Sequence, residues 1–142
     1  GMGPGFLWTL PFSPHQQAGF AWVRSATPPD AVVQFDPIVR ARQNWSGIPA
    51  FTGRRMAAAI PISLLPEQRH HDLSARVHRI VTELPPEAAH ANAAAMGIDY
   101  LWIDEEDRAA TTSASLDRLE RRPDLFPPVF RQGGTLVLAV AK

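Results

Sequence analysis

"GIDYLWIDEED", Gly97 to Asp107, is the stretch on which the reading of this chain turns. An apolar run from Ile98 to Ile103, broken only by Asp99, passes at once into four acids, Asp104, Glu105, Glu106 and Asp107. A short run of this kind, with Gly97 placed before it to end a helix, reads as a buried strand. The acids that follow have two readings. Past the carboxyl end of a parallel strand they would stand where ligands bind in open α/β sheets, and adjacent carboxylates could hold a divalent cation. Alternatively Asp104 is an N-cap and the other three fill the first helical turn, where each negative charge is favourable by about 0.3–1 kcal/mol. No second ligand set at suitable spacing accompanies them, so the helix start is favoured and no metal site is expected.

Working outward, prolines punctuate the chain. Ser13-Pro14-His15-Gln16 offers a capping hydroxyl, a proline at the first helical position and a glutamine placed to bond back, so a helix is expected to about Ser25, with Phe20 and Val23 inward. "TPPD" at 27–30 ends it, because the residue before a proline avoids the α region. "AVVQF", 31–35, reads as a buried strand, and Asp36-Pro37 starts a short helix through about Asn44 that carries Arg40 and Arg42. A further strand is placed near 54–59, after a turn at Gly53. From Glu67, apolar residues at Leu73, Val77, Ile80, Val81 and Leu84 recur at three and four, an amphipathic helix ended by Pro85-Pro86. A second helix runs from Pro86 to Met96. Beyond the opening stretch, Ser115 is read as the cap of a short helix bearing Leu116 and Leu119. Gly133-Gly134, between two β-rich runs, signals a two-residue hairpin. The order of elements gives an α/β domain of three-layer, Rossmann-like form, with a parallel or mixed sheet and a C-terminal antiparallel hairpin.

The composition sets limits on partners. Fourteen basic and fourteen acidic side chains cancel and no basic stripe appears, which removes nucleic acid as a partner. Zero cysteines exclude disulfides and thiolate metal sites but leave the compartment open. Residues 1–12 are read as an apolar arm or linker and 13–142 as one domain; Gly1-Met2 has the form of a tag remnant ahead of a start residue. The arm is shorter than the ~20 apolar residues of a membrane span. It is either the end of a segment leaving a membrane or an arm lying on the domain.

Enzyme fingerprints are missing from the sequence. The turns after the strands hold neither GxGxxG nor GxxxxGK[ST], and there is no GxSxG elbow, so no cofactor and no catalytic residue are assigned. His70, His71, His78 and His90 raise a zinc hypothesis, with 71 and 78 two turns apart on one face, but no HExxH spacing supports it. Candidate ligand-binding residues are Arg54, Arg55, Asp36, Asp104 and Glu105. Two arginines after a flexible glycine could grip an anion, or one could pair with a buried acid such as Asp36 or Asp99 and lock the strand ends. Trp8, Trp22, Trp45 and Trp102 are read as packing residues, and the "TLVLAV" segment as an exposed edge able to pair with another chain.

Taken together, "WVRSATPPDAVVQFDP", "IPAFTGRRMAAAIPISLL", "AAAMGIDYLWID" and "RPDLFPPVFRQGGTLVLAV" resemble the C-terminal extracytoplasmic domain of bacterial polytopic membrane proteins similar to C-type (GT-C-like) glycosyltransferases. The resemblance covers about residues 20 to 140, and Gly53, Arg54 and Arg55 match its polar element. It implies an α/β domain on the periplasmic face of the inner membrane. Its partner would be the membrane-embedded part of the same polypeptide, and its role accessory, helping to hold a glycan or lipid-linked sugar. The alternative is a free-standing small α/β enzyme or ligand-binding protein, with a site at the strand carboxyl ends lined by Asp36, Arg54, Asp104 and Glu105.

Overall fold

The computed structural model describes residues 12–40, 52–57 and 67–142, of which the side chains of 39, 40 and 67–71 are excepted. Its elements run α1 (Pro14–Ala26), β1 (Val33–Gln34), α2 (Pro37–Arg40), α3 (Glu67–Thr82), α4 (Pro86–Ala95), β2 (Tyr100–Ile103), α5 (Glu105–Ala110), α6 (Ser113–Glu120), β3 (Pro128–Gln132) and β4 (Thr135–Ala139). The expected arm lies outside the described residues except for Phe12, whose ring stands edge-on to Phe20 at 5.0 Å. Trp8, Trp45 and the expected continuation of α2 past residue 40 also lie outside them.

The four strands form one open mixed sheet in the order β1-β2-β4-β3. Only β1 and β2 pair in parallel, with Val33 opposite Tyr100 and Gln34 opposite Leu101. β4 runs antiparallel to both β2 and β3. The expected edge at "TLVLAV" is therefore corrected: β4 is flanked on both sides, and the edge belongs to β3. The reason is the hairpin. Gln132 pairs with Thr135 across Gly133-Gly134, and only Gly133 (φ 57°) has positive φ, as in a type II′ turn. β3 is thereby folded back onto the outer side of β4.

The strand expected near 54–59 is reduced, over its described residues, to a single parallel bridge between Arg55 and Val32. Residues 58 and 59 lie outside the described residues. "AVVQF" is likewise extended at its centre only, because Asp36 already caps the next helix, its Oδ1 accepting from Ile38 N at 2.9 Å.

Side-chain alternation divides the interior in two. Leu101 and Ile103 of β2, with Leu136 and Leu138 of β4, face a cluster built with Val77, Ile80 and Val81 of α3, Ala89 and Ala93 of α4, and Leu116 and Leu119 of α6. Trp102 and Val137 face the other way, into a cluster with Phe20 and Val23 of α1. Helices thus cover both sides of the sheet, and strand residues bury in both directions. On the α1 side the approach is close: a Cβ on Gly19 would stand 2.6 Å from the Trp102 ring and 2.9 Å from the Thr135 methyl. Phe20 stacks on Trp102 with centroids 4.7 Å apart.

Helix ends follow the signals in the sequence, with one correction. Ser13 and Gln16 form the capping box of α1, and Gly97 (φ 74°) closes α4. The cap of α6 is Thr112 and not Ser115; the Thr112 hydroxyl accepts from Ser115 N at 3.2 Å. A hydroxyl three residues earlier reaches the exposed amide, so the helix gains most of a turn.

Candidate functional site

The carboxyl ends of the parallel strands lead into Asp36 and Asp104, and the two acids do different work. Asp104 is 3% exposed, and both its oxygens are engaged. Oδ1 accepts from Glu106 N at 2.9 Å, and Oδ2 accepts from Gln16 Nε2 at 2.9 Å and Trp102 Nε1 at 2.8 Å. Asp107 Oδ2 accepts in return from Asp104 N at 2.8 Å, completing a capping box. Glu105 turns outward over the hairpin, where Ser13 Oγ donates to it at 3.4 Å and a Cβ on Gly134 would meet its side chain. The acidic run is thus the opening of α5, and Asp104 pins that helix to α1 and β2. Among the described residues no group of three or more metal-ligating side chains could hold an ion.

Asp36 is fully buried. Its Oδ2 lies 2.6 Å from His78 Nδ1, a close hydrogen bond, and the His78 side chain keeps 30% of its surface exposed. Of the expected histidine set, His90 lies apart, its Nε2 bonded to the Ala141 carbonyl at 2.7 Å. The side chains of His70 and His71 lie outside the described residues. An oriented, half-buried imidazole beside a buried carboxylate can accept a proton or a hydrogen bond. The sequence reading weighed His78 for zinc and missed this pairing, since the partners stand 42 positions apart. The available signal was local: on α3, His78 follows Ser74 by one turn, on the flank of the apolar face.

The arginines are not at this edge. Arg54 is 9% exposed and lies at the far end of α1. Its guanidinium donates to Thr27 Oγ1, Thr27 O, Arg24 O and Thr52 O at 2.8–3.0 Å. The expected pairing of an arginine with Asp36 or Asp99 does not involve Arg54, because carbonyls left unpaired at a helix end already satisfy it. Gln16, which holds Asp104, and Arg24, which holds Arg54, are eight positions apart on one helix, about 12 Å at 1.5 Å per residue. Arg54 and Asp104 therefore do not meet. Arg55 is exposed and donates to the Asp30 carbonyl at 3.4 Å. A second, partly buried guanidinium went unnoticed in the sequence: Arg118 of α6 donates to the carbonyls of Arg79, Ile80, Val81, Leu84 and Ser115, closing the end of α3. Burial pushes its pKa below the ordinary value.

At the opposite end of the sheet a shallow pocket of about 390 Å³ is lined by Pro28, Asp30, Asp99, Tyr100, Val140 and Lys142, among others. Asp99 is one of its charged lining residues. Its Oδ2 accepts from Val32 N at 2.8 Å and its Oδ1 from Lys142 Nζ at 2.7 Å. Burial pushes the Asp99 carboxyl up, but these hydrogen bonds and the charges of Lys142 and Arg55 outweigh it and leave its pKa below the ordinary value. The same contact raises that of Lys142.

No helix among the described residues is long and apolar enough to cross a membrane. Compared with known protein families and with the sequences of characterised proteins, the chain matches none.

Proposed function

We propose that this chain is a non-catalytic accessory domain of a membrane glycosyltransferase-like protein, set on the extracytoplasmic face of the inner membrane. Its partner in this reading is the membrane-embedded part of the same polypeptide, and its contribution is to help hold a glycan or lipid-linked sugar. The resemblance of the four quoted segments supports the membrane context. The absence of catalysis rests on one observation: the acids at the carboxyl edge that a metal or a nucleophile would need are spent on architecture, with Asp104 accepting three hydrogen bonds from within the fold. A three-layer, Rossmann-like classification belongs to the same proposal. It is supported by the parallel β1–β2 pair, by the helices between those strands and by buried clusters on both faces of the sheet.

The upstream coding sequence tests the reading. A frame continuing into many hydrophobic helices is expected; a stop codon just before Met2, with no membrane-protein gene adjacent, overturns it. The second reading, a free-standing ligand-binding protein or enzyme with its site at the strand carboxyl ends, is favoured by the Asp36–His78 pair. Substrate turnover by the isolated chain, abolished in H78Q, would establish it over the first.

A further inference from the structure

We infer that Asp36 and His78 make a binding site for a neutral hydroxyl compound at the carboxyl edge of β1, with His78 Nε2 as the contacting atom and Asp36 as its positioning residue. The site holds whether or not a membrane segment precedes the domain. An ionised carboxylate only accepts, so the proton of the 2.6 Å bond belongs to Nδ1, and in the neutral ring the lone pair is left on Nε2. Asp36 cannot turn away, because it is fully buried and its other oxygen holds Ile38 N at 2.9 Å. Among the described residues nothing bonds to His78 Nε2, while His90 Nε2 is taken by the Ala141 carbonyl.

A second, independent observation lies one turn earlier on α3. Ser74 is 5% exposed, and its hydroxyl has no hydrogen-bond partner, which is unusual for a buried polar atom. At four residues' spacing its Cβ lies roughly 6 Å from that of His78, on the same flank of the helix. A fixed acceptor at the edge is thus followed inward, one turn earlier on the same helix, by a buried hydroxyl without a hydrogen-bond partner. An anion would meet the Nε2 lone pair with the Asp36 charge behind it, whereas a neutral hydroxyl can rotate its proton onto that lone pair and accept from a neighbour. The position is also the one where open α/β sheets take ligands, outside the carboxyl end of a parallel strand.

The test is nitrogen-15 NMR of the histidine rings in the intact chain, with glycerol and methyl glucopyranoside as probes. In the absence of probe at pH 8, His78 is expected in the Nδ1–H form. Either polyol should shift its Nε2 resonance saturably, with no matching shift at His90 or the exposed His15. D36N keeps an acceptor for Ile38 N–H; it should retain the fold by circular dichroism yet lose the single tautomer and weaken the polyol response. H78Q should leave no saturable response on the α3 backbone amides. A proton on Nε2 in the wild-type chain overturns the proposal. So does a linear, non-saturating drift shared by all the histidines, or a response unchanged in D36N.

Discussion

Arg54, buried, and Arg118, partly buried, are two cations that the fold stabilises with carbonyl groups instead of carboxylates. Each reaches the C-terminal end of a helix, α1 for Arg54 and α3 for Arg118, where the last carbonyls carry the negative end of the helix dipole. The planar fork matters, since it meets several carbonyls at once, which an ammonium does not. Arg54→Met removes four side-chain hydrogen bonds and leaves buried acceptors unsatisfied. It should cost about 2–4 kcal/mol of unfolding free energy in urea, with Arg54→Lys intermediate. A loss under about 0.5 kcal/mol, the level of an ordinary surface change, would remove Arg54 from the structural role. The arginine pair was visible in the sequence but its task was not. Three of the four acceptors are backbone carbonyls, of residues 24, 27 and 52, and backbone carbonyls leave no mark on composition.

Among the elements, α1 carries the tightest constraint. Gly19 sits in mid-helix, where glycine costs up to about 1 kcal/mol relative to alanine. Its place is explained by the Trp102 ring and Thr135 methyl, which stand within 3 Å of where a Cβ would lie. Gly19→Ala sets the gain in helix propensity against overpacking of about 1–3 kcal/mol. The contacts are with a fully buried indole, which cannot move aside, so net destabilisation is expected; a raised melting temperature would show that α1 can lift off the sheet at little cost.

At the other end of the sheet Asp99 ties β2 to Val32, just before β1, and to Lys142, beyond β4. With its folded pKa below the unfolded value, Asp99 contributes stability that is fully present above that value, 3.8, and fades as pH falls through the folded pKa. The melting-temperature difference between the wild-type chain and D99N should therefore be constant near neutrality and shrink below about pH 4. A difference that grows in acid would show the sign to be wrong. Helix starts and the central strand were legible because proline, glycine and capping side chains act within four residues. The Arg55 bridge and the Thr112 cap were not. The first depends on Val32, which lies distant in sequence, and the second on a choice among the four hydroxyls of Thr111, Thr112, Ser113 and Ser115.

For the whole molecule, the two buried clusters share β2 and β4, whose residues face alternately into one and the other. Neither cluster can be lost without exposing strands that the other needs. A single cooperative transition is expected, with tryptophan fluorescence and far-ultraviolet circular dichroism coinciding in urea. Separate midpoints would mean that the α1 side unfolds independently. The α/β class was readable from the order of elements, but strand order was not. Sequence shows which residues are strand-like, whereas the insertion of β4 between β2 and β3 depends on pairing between residues such as Trp102 and Val137, which are far apart along the chain.

That insertion bears on how the protein is made. Residues 135–139 follow every other strand of the sheet in synthesis, yet they supply the partner on which both antiparallel pairings depend. A nascent chain on the ribosome can assemble its helices early but cannot close its sheet until this segment has emerged. Until then, apolar surfaces on both β2 and α3 await cover, and a chaperone that shields them would act at its most useful moment just before β4 appears.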